Sequence, residues 1–300
     1  MKKKTYLFAL MAMVLTLGSC SDNENGIGGE TSKYITVSTS IGNMTRVATD
    51  AKGGQTFEEG DEISVYAWTG DATIAPDASE RVVNNAINKL TNGSWVSTPQ
   101  MLWKNNRDKH YFIGVYPISA ISDLSAGEYT FDVNKQTESD LLVAVNKDGL
   151  SYNVDEQQTV PLTFTHVMAK LVVNLTYKNQ WGGIPTVEKV VVGNAAKEAT
   201  VNYLTKVVTP STTAKEDFSL PEITENTKYV SVIIPQEEVT QLTIVIGGKN
   251  FVYDNGTPFK LESGKITTVN LEVGRDEIKL GDVKITDWED GSTFGGEALN

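Results

Sequence analysis

The chain has 300 residues, with 26 Lys and Arg against 38 Asp and Glu, a formal net charge of −12. A surface this acidic repels nucleic acid and anionic lipid heads, and no basic run offsets it. Two histidines and one cysteine rule out a His- or Cys-rich metal site and a disulfide framework, so stability has to come from hydrophobic cores.

The first elements are addresses rather than folded structure. Lys2, Lys3 and Lys4 precede an apolar run, Tyr6 to Leu17, the size of a signal-peptide core and short of the roughly 20 residues a membrane-spanning helix needs. Gly18, Ser19 and Cys20 follow, and this "LGSC" resembles the lipobox of bacterial lipoproteins. The resemblance implies a signal peptide over 1–19, lipidation of Cys20 and cleavage just before it. Losing Lys2, Lys3 and Lys4 would move the charge from −12 to −15. Residues 20–33, "CSDNENGIGGETSK", read as a flexible tether, low in apolar content. Its Asp22 and Glu24 resemble the acidic signal that sends lipoproteins of some Gram-negative anaerobes to the cell surface.

Beyond the tether the pattern has period two. Ile35, Val37, Thr39 and Ile41 alternate with Thr36, Ser38 and Ser40, and Ile63, Val65 and Ala67 alternate with Ser64, Tyr66 and Trp68. Such runs predict strands with one face on a core and one in water. The same holds for "HYFIGVYP", "LLVAV", "TVPLTFTHVMAKLVVNLTY", "VEKVVVG", "YVSVIIP", "LTIVIGGKNFVYD" and "KITTVNLEV". Gly247-Gly248 and Asp254-Asn255-Gly256 carry hairpin-turn chemistry. One segment, "ASERVVNNAINKL", predicts a short helix, with Val82, Val83, Ala86, Ile87 and Leu90 on a rough stripe. Many short strands with frequent turns predict an all-β chain of sandwich or partly open barrel domains. Polar "NVDEQQ" marks a domain boundary, giving an N-terminal domain over 34–158 and a C-terminal domain over 159–300.

Signatures of catalysis are missing. No G-x-S-x-G elbow, phosphate loop or dinucleotide fingerprint occurs, and no cofactor is expected. His110 and His166, flanked by strand residues, read as structural. "DWEDG" and "YDNG" lack the ligand spacing of a calcium loop and serve as turns. Trp68, Trp95, Trp103, Trp181 and Trp288 would make a sugar-stacking platform only if several lay exposed on one face, as a surface glycan-binding lipoprotein of a nutrient-uptake system would require.

Several blocks resemble the fimbrillin family, the lipoprotein-derived subunits of type V pili on Gram-negative anaerobes. They are F-x-x-G-D (Phe57, Gly60, Asp61), L-x-F-x-H-x-x-A-K (Leu162, Phe164, His166, Ala169, Lys170) and I-x-D-W (Ile285, Asp287, Trp288), supported by "SDLLVAV" and "LESGKITTVNLEV". The resemblance implies two tandem transthyretin-like, Greek-key β-sandwich domains. It also implies an outer-membrane precursor and a structural or adhesive role in a surface fimbria. The expected partners are other fimbrial subunits, the outer membrane through lipid, and host or bacterial surface ligands. Arg-specific maturation followed by strand exchange is implied as well. Arg46, before Val47 in "NMTRVATD", fits the cleavage position, and Ile35, Val37, Thr39 and Ile41 fit the strand that would be displaced. The alternative is that "TR" ends an ordinary first strand and stays uncut.

Overall fold

Most of the alternating runs become strands. The computed structural model describes residues 33–42, 56–156, 158–239, 241–253 and 258–288. The expected signal peptide, nearly all of the tether, Cys20, Arg46, Val47 and the Asp254-Asn255-Gly256 turn lie outside them. In the N-terminal half run β1 (Thr36–Ile41), β2 (Glu62–Thr69), β3 (Val83–Thr91), β4 (Ser94–Thr98), β5 (His110–Tyr116), β6 (Gly127–Thr130) and β7 (Leu142–Leu150). Next come β8 (Thr159–His166), β9 (Ala169–Tyr177), a single 3₁₀ turn at Asn179–Trp181, β10 (Val187–Ala196) and β11 (Glu198–Asn202). Then follow β12 (Val207–Pro210), β13 (Lys215–Ser219), β14 (Glu222–Thr224), β15 (Lys228–Ile233) and β16 (Gln236–Val239). The last are β17 (Leu242–Ile246), β18 (Lys249–Tyr253), β19 (Phe259–Leu261), β20 (Lys265–Val273) and β21 (Ile278–Asp287). No α-helix occurs among the described residues.

The segment expected to be helical is β3. Its pairing with β2 shifts between Val65↔Ala86 and Ala67↔Val83, so three steps on β3 oppose two on β2. Asn85, at φ 57°, takes up the extra residue as a β-bulge. The bulge puts Val83 and Ala86, three apart, on the buried side and so imitates a helical stripe. β10 uses the same device, with Asn194 at φ 54° inside a register shift between Val192 and Ala195.

A seven-stranded sheet has the order β1-β8-β7-β5-β2-β3-β4. All its pairings are antiparallel except β1 with β8, which is parallel. β8 lies beyond the expected 158/159 boundary, yet it pairs with β7 and β1. The C-terminal strands form a four-stranded sheet, β13-β10-β17-β18, and a five-stranded one, β14-β15-β9-β20-β21. A small sheet, β12-β11-β6, ties the two halves together because β6 pairs with β11.

Two cores result. One lies on one face of the seven-stranded sheet and takes Ile63, Val65 and Ala67 from β2, with Phe112, Leu162 and Phe164. The other takes apolar residues from the four- and five-stranded sheets, such as Val190, Ile244, Leu171 and Val269, together with Tyr66 and Trp68 from the opposite face of β2. The expected wet face of β2 is therefore dry: Ser64, Tyr66 and Trp68 are all buried.

Candidate functional site: the first strand and its groove

β1 lies at an edge of the seven-stranded sheet, and the register runs from Thr36↔Thr159 to Ile41↔Phe164. Its inward side chains Ile35, Val37 and Ile41 are buried in the first core. Its hydroxyls bond outside that core: Thr36 with Thr159 at 3.2 Å, and Ser40 donating to Thr163 at 3.2 Å. Just before the strand, Ile35 N–H donates to the Met101 carbonyl and Trp103 N–H to that of Lys33. Over Thr36–Ile41 the strand pairs, among the described residues, with β8 alone. The strand expected to be displaced, Ile35 to Ile41, is thus an edge strand with a greasy inner face.

The sheet curls until its two edge strands face one another. Trp95 on β4 donates its indole N–H to Thr39 Oγ1 on β1 at 3.0 Å. Between the two edges lies a groove of about 810 Å³. Val37, Ile41, Phe57, Leu90 and Trp95 give it apolar wall, and Ser38, Ser40, Thr56 and Ser94 give it hydroxyls. Among the described residues Tyr34 is the only titratable side chain in the lining, and the mix of apolar wall and hydroxyls suits an extended backbone.

The first family block builds one wall of this groove. Phe57 packs edge-on against Trp95 (5.3 Å), Tyr116 (5.4 Å) and Phe164 (5.1 Å). The turn behind it is fixed by Asp61, whose carboxylate accepts the Glu58 N–H at 2.7 Å. Gly60, at φ 98°, donates its N–H to the Leu90 carbonyl. Tyr116 is pushed up from its ordinary value by burial, with Asp61, Asp140 and Glu58 adding to the effect.

The other two blocks meet elsewhere. His166 Nδ1 bonds Asp140 Oδ1 at 2.8 Å, and its ring stacks on Trp288 at 3.9 Å with planes 5° apart. The ammonium of Lys170 sits 5.4 Å from the centre of the same indole. The convergence of Asp140, His166, Lys170 and Trp288 was not legible from spacing, because 148 positions separate its ends. The cluster anchors the end of β21 against β8 and β9. It is buried packing, with Trp288 at 9% exposure and Lys170 at 4%.

The remaining candidates are structural. His110 is buried, accepts the Lys104 N–H on Nε2 at 3.0 Å and faces the Asp108 carbonyl with Nδ1. That pattern fixes the neutral tautomer, and burial lowers its pKa. Trp68, Trp103 and Trp288 are buried, and Trp95 and Trp181 are half-buried, so no tryptophan platform is exposed. No group of His, Cys, Asp and Glu that could hold a metal occurs among the described residues, nor does a helix long and apolar enough to cross a membrane.

With the geometry in hand, likenesses to known proteins fall into one group. A sequence model of the fimbrillin-like family matches residues 45–288. A curated relative from Bacteroides uniformis, named as a fimbrium subunit, Fim1C, is 25% identical over 323 residues, covering 100% of this chain and 99% of its own. Among solved structures, a protein from Bacteroides uniformis named for cell adhesion superposes with a TM-score of 0.64 at 20% identity, over 86% of this chain and 100% of its own. The tip fimbrial protein Mfa3 of Porphyromonas gingivalis, solved with a C-terminal truncation, superposes with a TM-score of 0.50 at 11% identity, over 77% and 95%. The structural likenesses are of fold.

Proposed function

The chain belongs to the fimbrillin-like family, and from that premise we propose that it is made as an outer-membrane lipoprotein, matured by a cut after Arg46 and joined to its neighbours by strand exchange. The family is one of structural fimbrial subunits and not of enzymes, so the chain works by assembling with other subunits in a cell-surface appendage.

One observation carries the finer reading. Among the described residues β1 pairs as a strand with β8 alone, in parallel and 123 residues away in sequence, and no hairpin ties it to that neighbour. Such a strand can leave without breaking a turn. Its departure would strip backbone partners from β8 and open the first core beside an existing groove, which an extended segment of a neighbouring subunit could fill. Arg46 follows β1 by five residues, so a cut there would free the strand. We also place the division between the two domains after β8, since that strand completes the first sheet.

The test is to treat the purified precursor with an arginine-specific protease. The expected products are a new N-terminus at Val47 and a ladder of higher-mass species, both lost in Arg46→Ala. Clean cleavage that leaves only folded monomers would reject strand exchange. Lipidation is tested separately: a fatty-acid probe should label the cells' protein, and Cys20→Ser should abolish the label.

A further inference from the structure

Arginine is scarce in this chain: four residues, Arg46, Arg81, Arg107 and Arg275, against 22 lysines. Three of the four are described, and each is held by hydrogen bonds to its backbone or its guanidinium. Hydrolysis of an Arg–Xaa bond consumes one water and leaves a carboxylate on arginine and an amine on the next residue. To catalyse it, a protease must draw the flanking backbone into an extended form and lodge the guanidinium in an acidic pocket. Surface loops that are free to do this are the usual sites of nicking.

Arg81 is 8% exposed, and its guanidinium is already spent. Nη1 donates to the Ile121 carbonyl at 2.9 Å and to Asn84 Oδ1 at 3.0 Å, Nη2 to the Ser122 carbonyl at 2.6 Å, and Nε to the Pro76 carbonyl at 3.2 Å. Arg107 is exposed, but its backbone is wound tight. Asn105 Oδ1 accepts the N–H groups of both Arg107 (2.9 Å) and Asp108 (2.8 Å), the second being that of the scissile amide itself. Arg275 lies in the loop joining β20 to β21, closed by Gly274 N–H to the Glu277 carbonyl at 2.8 Å. Its N–H donates to Gln180 Oε1 at 3.1 Å, its carbonyl accepts Lys249 Nζ at 2.8 Å, and its guanidinium lies 5.7 Å over Trp181. In both exposed cases the next residue is an aspartate.

We infer that the folded chain is built to resist arginine-specific proteolysis at Arg81, Arg107 and Arg275. The inference goes beyond the maturation reading and would hold even if Arg46 were never cut. Its biochemical meaning is selectivity: the same enzyme that trims a subunit would leave the rest intact.

The experiment uses the full chain, an arginine-specific protease, and synthetic peptides spanning residues 77–86, 103–112 and 271–280 as unfolded references. Each of the three bonds should be cut at least ~100-fold more slowly in the folded chain than in its peptide, because cleavage has to wait for local opening. Asn105→Ala should accelerate the Arg107–Asp108 cut alone, and Gln180→Ala the Arg275–Asp276 cut alone. Asn105→Asp, which keeps an acceptor oxygen, should stay resistant, and unchanged circular dichroism should show that the variants fold. Cutting of any of the three bonds in the folded chain at the peptide rate would overturn the inference, as would an Asn105→Ala variant with no acceleration. Absence of a cut at Arg46 would count against maturation and leave this inference standing.

Discussion

Gly114 on β5 faces Phe164 on β8 so closely that a Cβ there would meet Phe164 Cζ at 2.6 Å and Leu162 Cδ1 at 3.1 Å. Gly114→Ala should therefore destabilise by about 1–3 kcal/mol through overpacking. Phe164→Ala, which empties the same space, should cost about 3–5 kcal/mol in urea unfolding. The double variant should cost less than the sum, because the new methyl fills part of the hole. Lys170 gives a second residue-level prediction. Burial pushes its ammonium down to about 8, opposed by Asp140 and helped by Lys228. Unfolded, it would titrate near 10.5, so between pH 8 and 10 the unfolded chain holds a proton that the folded chain has released. Stability should then rise with pH across that window, and Lys170→Met should flatten the rise and raise the urea midpoint at pH 7. Above pH 10 the sign reverses, because burial holds Tyr177 and Tyr203 up to about 12 while unfolded tyrosines ionise near 10.0.

At the scale of elements, strands were easy to read and bulges were not. The Ile35–Ile41 alternation is β1, and Gly247 and Gly248, at φ 56° and 71°, turn β17 into β18 as hairpin chemistry demands. In the alternating run "TVPLTFTHVMAKLVVNLTY", Phe164, Leu171, Val173 and Leu175 are buried. β3 looks helical in sequence because an asparagine bulge adds one residue to a period-two pattern, and nothing in "VVNNAINKL" marks which asparagine takes the left-handed backbone. A substitution in the other bulge tests this account. Asn194→Gly should be tolerated, whereas Asn194→Val, with a branched side chain at φ 54°, should cost about 1–2 kcal/mol in thermal or urea unfolding. The meeting of Asp140, His166, Lys170 and Trp288 was equally hidden, since parallel pairing of β9 with β20 brings together segments that no local pattern connects.

For the whole molecule the question is what β1 contributes to the first core. Ile35, Val37 and Ile41 are 2%, 6% and 8% exposed, and burying such a side chain is worth about 1.5–3 kcal/mol. Their sum is comparable with the entire stability of an ordinary domain, about 5–15 kcal/mol. A chain beginning at Val47 should therefore be at the margin of folding on its own, with the core-facing side of Val160, Leu162 and Phe164 exposed beside an unpaired β8 edge. It should run as oligomers in sedimentation, and a synthetic peptide of Lys33–Gly42 should restore a monomer by pairing in parallel with β8. Peptide binding should raise the urea midpoint with peptide concentration, as any ligand of the folded state does. A peptide with Val37 and Ile41 both changed to Asp keeps the backbone donors and acceptors but cannot enter the core, so it should fail. If the chain from Val47 is a monomer with the urea midpoint of the full chain, β1 is an ornament of the sheet rather than its plug, and strand exchange at this edge has no driving force.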